Sequence, residues 1–376
     1  EFFDVDWIKR LNLRASYGIN GNISLTQGPY MILGVGSFNN DTQGITHSIS
    51  SYPNGSLRWE KTKTTNIGLA FDVLDGRLGL SADRYFKHST DILANDAIDP
   101  TLGVSSMTKN VGAIQNNGFE ATGYGSPLST KNFQWNVSYN LSLNHNEVLS
   151  YNVSRNYPTS WAAVMPIHAE GHPMYGLYGY KFSRIDDKGQ VLVYGADGEE
   201  KLASLVEVDD IEYQGSTVPT TDMALTNSFD YKNWRLSFMF IAKFGAKYRK
   251  DVFQGSNINS RYVGQRWKEA GDEAKTIYPT LKSWNMDLFY YPFCDIFVGN
   301  ANYAKLRDVT LSYTFDKSLT SRIGLGNLRV YVQARDLFRI TAKDCDIDPE
   351  TMIVESGGAI GASTNAGYTT LPRNAE

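Results

Sequence analysis

The sequence has 376 residues, 36 basic against 40 acidic side chains for a net charge of −4, and two cysteines. A charged fraction of 20% this closely balanced excludes a polybasic nucleic-acid protein and an acidic disordered tail, and two thiols exclude a disulfide scaffold. Rings and glycine are in excess (23 Tyr, 18 Phe, 7 Trp, 33 Gly) under a mean hydropathy of −0.35, which leaves no apolar run long enough for a membrane helix but allows a membrane barrel, whose alternating strands average to polar.

The N-terminus, Glu1-Phe2-Phe3-Asp4, has neither the charged nor the apolar segment of a secretory leader and so says nothing of compartment. Alternation of apolar and polar residues, the period of a strand with two different faces, then recurs along the chain. Leu11, Leu13, Ala15 and Tyr17 mark a first strand near residues 11–19, and strands follow near 65–74, 77–87 and 117–125. The fifth, 132–144, sets Phe133, Trp135, Val137, Tyr139, Leu141 and Leu143 against Gln134, Asn136, Ser138, Asn140, Ser142 and Asn144. The sixth, 222–231, leads to a seventh at 234–244, where Trp234, Leu236, Phe238, Phe240, Ala242 and Phe244 align and Met239 and Ile241 break the polar side. Val309, Leu311, Tyr313 and Phe315 carry the eighth (303–315); Leu328, Val330, Val332 and Ala334 carry the ninth (327–340).

These runs are longer than ordinary soluble strands and close to what a tilted strand needs to cross a bilayer. Trp135, Trp234 and Tyr303 near strand starts, with Phe244, Tyr313 and Phe315 near strand ends, predict two interfacial girdles of rings. The links alternate in length. Asp75-Gly76, suited to a type I′ turn, residues 125–131, Lys232-Asn233 and residues 316–326 are short, whereas 20–64, 88–116, 145–221 and 245–302 are long, with 341–370 following the last strand. The expected fold class is all-β, a partial transmembrane antiparallel β-barrel, because a soluble sandwich does not explain a long link at every second position. Within the third long link, Tyr175–Ile185 and Gln190–Tyr194 are candidates for an extra strand or hairpin.

Several stretches also resemble a known family. Leu11 to Gly18 ending in Asn20-Gly21-Asn22, Leu57 to Thr62 leading into Asn66 to Leu69, Asn110-Val111-Gly112 with Asn117 to Glu120, and Gly171-His172-Pro173 with Tyr178-Gly179-Tyr180 are similar to SusC/RagA-type TonB-linked outer-membrane proteins. So are Tyr231 to Trp234, Arg266-Trp267, and Asn302 to Tyr313 running on to Asn327 to Tyr331. Together they keep the family's order from about residue 8 to residue 350. The resemblance implies that residues 1–376 are the C-terminal part of the barrel, about nine to ten strands of the 22-stranded, plugged kind, with the long links as extracellular loops. The plug domain and the final strand are not in this chain: after Leu371-Pro372-Arg373 it stops at Asn374-Ala375-Glu376, where the family continues into a last strand and a terminal aromatic.

The same resemblance implies the Gram-negative outer membrane, and active import of an oligosaccharide or other glycan, or of peptide. It implies a SusD-like surface lipoprotein as partner, and energy from the TonB complex acting through the absent plug. Outer-membrane lipid would face the apolar side. No nucleic-acid partner, no cofactor and no enzyme activity are expected. The rivals are a passive outer-membrane porin and a soluble surface glycan-binding β protein.

Candidate chemistry is sparse. His168 and His172 stand four apart around Glu170, but Pro166, Gly171 and Pro173 oppose the helix a zinc pair would need. Asp344, Asp346, Asp348 and Glu355 match four positions of a calcium loop, yet Pro349 replaces its turn glycine, and an acidic outer loop is the plainer reading. Cys294 and Cys345 could pair across two loops or both be free. Neither a nucleophile elbow nor a phosphate-binding glycine loop occurs, so catalytic and metal residues are expected to be none. Candidate ligand contacts are the loop aromatics Tyr157, Trp161, Trp284, Phe289, Tyr290 and Tyr291, able to stack on sugar rings or grip a peptide; their bland alternative is packing the loops together.

Overall fold

Nine strands form one antiparallel sheet whose spatial order is the chain order: β1 (Ile8–Asn22), β2 (Glu60–Val73), β3 (Leu78–Ala97), β4 (Ser106–Ser129), β5 (Phe133–Tyr151), β6 (Thr221–Tyr231), β7 (Trp234–Phe244), β8 (Tyr303–Thr314) and β9 (Arg329–Thr341). The computed structural model describes residues 5, 7–23, 30–102, 106–152, 169–250, 252, 260–281 and 287–351. All nine expected strands are present. Their short turns gather at one end of the sheet and their long links at the other.

Residues directly opposed across a ladder share a face, so the register tests the two-sided pattern. One row crosses all nine strands as Leu11, Phe71, Leu80, Gly123, Tyr139, Leu225, Phe240, Leu306 and Phe338. The next row, on the opposite face, runs Asn12, Ala70, Ser81, Thr122, Asn140, Ala224, Ile241, Lys305 and Arg339. The sheet therefore has one apolar and one largely polar side. A bulge at Arg307, opposite Asp336 and Leu337, lets β8 and β9 keep this pattern while shifting phase by one residue.

At the short-turn end the apolar side carries a continuous band of rings. Trp234 packs against Tyr313 at 4.8 Å between centroids, Tyr313 against Phe315 at 4.9 Å, and Trp135 on Phe229 at 5.9 Å. Trp135 also donates its indole N–H to Asn227, 3.1 Å away, which satisfies the amide placed on this apolar side. Phe244 lies at the long-link end with Phe119 and Phe86. Tyr303 does not join either girdle: it lies on the polar side, is buried, and donates its hydroxyl to Glu350. Strand position alone could not separate the two faces at a chain end.

The strands outrun the alternation that announced them. Residues 88–116, expected as a long loop, are mostly ladder, because β3 continues to Ala97 and β4 starts at Ser106. Backbone hydrogen bonds need no apolar face, and beyond the two-sided zone the ribbon is held by Ala94, Val111, Ile114 and Val148 packed together. Residues Ile32–Asn39 and Gly44–Ser51 form a separate hairpin in the first long link. The loop 74–77 has positive φ at Leu74, Asp75 and Gly76, 53°, 55° and 82°, one left-handed residue more than the expected two-residue type I′ turn needs.

Candidate functional site

The polar side of the sheet is a surface of linked side chains. Arg10 and Tyr124 both bind Asp72, at 2.8 and 2.5 Å, and Arg14 binds Asp83 at 2.9 Å. Further along, Thr122 donates to Asn140, Tyr85 to Asn144 and Gln333 to Asp308. Arg10–Asp72, Thr122–Asn140 and Gln333–Asp308 join adjacent strands, whereas Tyr124–Asp72, Arg14–Asp83 and Tyr85–Asn144 each reach across an intervening strand, so the surface stays wettable yet fixed in shape. It offers hydrogen-bonding groups to a polar solute or segment, and among the described residues it holds no arrangement of nucleophile, base and oxyanion donors.

Above the long-link end, the third and fourth long links fold together. Lys181–Ile185, Val191–Tyr194 and Glu200–Leu202 make a three-stranded meander, and Gly176–Gly179 pairs with Glu212–Ser216. The expected extra strands at 175–185 and 190–194 are part of this. The strand at 200–202 lies beyond the expected elements, although Asp197-Gly198 marks its turn, with Gly198 at φ 82°. Tyr180, Ile185, Val191, Val193, Leu288, Tyr290, Tyr291, Phe293 and Phe297 form the core of this module. Arg249, buried, ties the two links by donating to the carbonyls of Tyr178 and Pro292 while lying 4.9 Å from the Phe293 ring centre.

Charge is used sparingly there. Burial opposes ionisation of Asp210, but N–H groups of Glu207 and Ala196 and the Lys201 ammonium more than offset it, holding the carboxyl below its usual range. Arg184 and Ser183 bind Glu200 and lower it as well. Burial pushes the Tyr291 hydroxyl up, and it stays protonated as donor to the Ile277 carbonyl at 2.7 Å.

The segment after β9 bends back over the mouth on alternate acidic residues. Asp344 accepts the Asn300 N–H, Asp346 accepts the Tyr248 hydroxyl at 2.5 Å, Asp348 pairs with Arg339, and Glu350 receives Lys305, Arg307 and Tyr303. Beside it is a cleft of about 450 Å³ lined by Thr217, Lys243, Tyr303, Arg307 and Glu350 among others. Asp344, Asp346 and Asp348, weighed as a calcium loop and read as an acidic outer loop, are thus engaged with protein donors, while Glu355 lies outside the described residues.

Of the candidate ligand contacts, Tyr290 and Tyr291 are 1% and 0% exposed and belong to the module core, so the stacking role is corrected to packing for these two. Phe289 is half-buried against the same cluster. Tyr157, Trp161 and Trp284 lie outside the described residues, as does His168; His172 stacks on Tyr213 at 4.5 Å. Cys294 and Cys345 are both buried and free, in different clusters.

Comparison with known proteins covers nearly the whole chain. Residues 3–332 match the family described as TonB dependent receptor-like, beta-barrel. The TonB-dependent receptor SusC of Bacteroides thetaiotaomicron is 28% identical over 382 residues, covering 94% of this chain and 36% of that protein. The TonB-dependent receptor P39 of Formosa agariphila is 26% identical over 391 residues, covering 89% and 37%. The chain thus spans little more than a third of the length of these relatives. A structure of the RagAB peptide transporter superposes with a TM-score of 0.74 at 24% identity, over 92% of this chain and 39% of that one. The RagAB peptide importer in its open-open state gives 0.73. At this identity the likeness is one of fold.

Proposed function

The chain belongs to the TonB dependent receptor-like β-barrel family, outer-membrane proteins of Gram-negative bacteria, and from that premise we propose that it is the C-terminal wall and outer rim of an active nutrient importer. The family is one of receptors and transporters, not of enzymes. One observation carries the reading: a nine-strand sheet, apolar on one side and hydrogen-bonded polar on the other, with short turns at one end, a packed loop module at the other, and, among the described residues, an unpaired edge on both β1 and β9. In this reading the apolar side meets lipid and the polar side lines the lumen. Residues 1–376 would be completed by further strands and a plug through which TonB supplies energy.

The cargo is an oligosaccharide or a peptide, handed over by a SusD-like surface lipoprotein seated on the loop module. The test is uptake of labelled oligosaccharides and labelled peptides by cells carrying or lacking the complete receptor, with and without a protonophore. Receptor-dependent uptake that stops with the protonophore is expected, for one of the two cargo classes. Uptake that persists without the proton gradient would indicate a passive porin. Extraction of the receptor from membranes without detergent would indicate the soluble glycan-binding alternative.

A further inference from the structure

On the apolar side of β2 and β3, at the long-link end, the register places two cations, Arg84 and Lys63, and the imidazole of His88. The row Ala15, Ile67, Arg84, Phe119, Leu143, Thr221 and Phe244 contains one charge, Arg84, set between Ile67 and Phe119. The next row out holds Tyr17, Thr65 and Phe86; the row beyond that holds Ile19, Lys63 and His88, the last two directly opposed. Arg84, Phe86, Lys63 and His88 are all exposed. Among the described residues neither Arg84 nor Lys63 has a carboxylate within ion-pair reach. Of the acids nearby, Asp91 is paired with Arg58 at 2.9 Å, and Glu147, in the same row as His88, stands two strands away with the His145 ring nitrogen 3.6 Å from it.

A charge on a lipid-facing row is costly near mid-bilayer and almost free at the interface. Two residues along a strand tilted by about 40° rise roughly 5 Å, so Arg84 starts about 5 Å below Phe86 and about 10 Å below His88. Its guanidinium lies 5.0 Å from the Phe86 ring centre, with the side chain turned along that ring toward the Lys63 row, and there it stays within the protein's lipid-facing side. Two cations at this depth, with His88 beside them, edged by Tyr17 and Phe86 and without a carboxylate in ion-pair reach of either among the described residues, draw their counter-charge from the surroundings.

We propose that Arg84, Lys63 and His88 form a binding site for the phosphate groups of outer-leaflet lipid, with Phe86 and Tyr17 packing on the first acyl carbons. The site is separate from cargo and lumen, because it lies on the opposite side of the sheet. It seats the barrel wall against one or two fixed anionic lipids.

The complete receptor in micelles, incubated with lipid A bearing both phosphates and examined by native mass spectrometry, tests this. Arg84→Gln or Lys63→Gln is expected to weaken lipid A retention about fivefold each, and the pair roughly 30-fold, from the usual worth of one cation at a charged surface. Lys87→Gln, on the same strand but the polar side, should leave it unchanged, and phosphatidylethanolamine should not be retained. Equal retention by the double variant, or equal loss with Lys87→Gln, overturns the site. Displacement of lipid A by excess inorganic phosphate assigns it to a free ion and overturns the lipid. If the double variant does not insert, Lys63→Gln alone carries the comparison, since Lys63 is in the outermost row. Unchanged lipid A binding by a receptor that still transports cargo would remove this inference and leave the proposed function standing.

Discussion

Tyr85 lies across Gly118, where an added Cβ would sit 2.1 Å from the ring, and Tyr124 covers Gly79 in the same way at 2.4 Å. Each glycine leaves a gap in the sheet that a cross-strand ring fills, and each hydroxyl then reaches a partner, Asn144 or Asp72. Gly118→Ala is therefore expected to destabilise by about 1–3 kcal/mol through overpacking, and Tyr85→Ala in the same chain should relieve part of that loss; urea unfolding in micelles reads both. The asparagines that read as family signatures also have structural work. Asn110 accepts the Arg58 N–H and donates to the carbonyls of Arg58 and Asp91, and Asn302 accepts the Gly245 N–H. Cys294 is fully buried, and burial pushes its thiol up, so the reactive thiolate is scarce at neutral pH. Maleimide at pH 7.5 should label neither Cys294 nor Cys345 until the protein is unfolded, and mobility on a gel should not change with reductant; labelling of the native protein would contradict the packing.

The strands and the loop module respond to different perturbations. Val137 and Ser138 are neighbours on β5 that face opposite sides. Val137→Arg is expected to cost about 2–4 kcal/mol if that row meets lipid near mid-depth, and Ser138→Arg less than about 1 kcal/mol, measured as folding free energy in bilayers; equal costs would sink the face assignment. The loop module depends instead on carboxylates. Asp210, Glu200, Asp272 and Glu273 are all held below their ordinary values, Asp272 mainly by N–H groups of Lys268 and Glu269. A lowered folded-state value means stability that is complete above the unfolded value and is lost as pH falls through the folded one. Amide-exchange protection of residues 176–216, corrected for intrinsic rates, is expected to drop as pH falls below about 4 while that of β5 to β7 holds; a drop on the alkaline side would reverse the sign. The sequence missed the outer halves of β3 to β5, because above the two-sided zone the ladder persists without alternation.

For the whole sheet the decisive fact is that, among the described residues, β1 and β9 each pair on one side only. Unpaired backbone groups are untenable in hydrocarbon, so residues 1–376 expressed alone should fail to insert into vesicles, whereas the complete receptor should insert and show heat-modifiable mobility; stable insertion of the isolated chain would contradict the partial-barrel reading. The number of strands in the main sheet, their order, and which residues of the central strands share a face were legible in the sequence, because period-two alternation is a local property of a two-sided strand. The short turns were legible for the same reason, whereas the outer ends of β3 to β5 were not, and the link expected over 88–116 shrinks to 98–105. What only the tertiary structure decided is what each ring, thiol and carboxylate touches. Tyr290 and Tyr291 close a core with Val191 and Phe297, Tyr303 turns inward to Glu350 across 47 residues, and Tyr248 meets Asp346 across 98. Burial is a property of partners distant in the chain, and no local pattern records them.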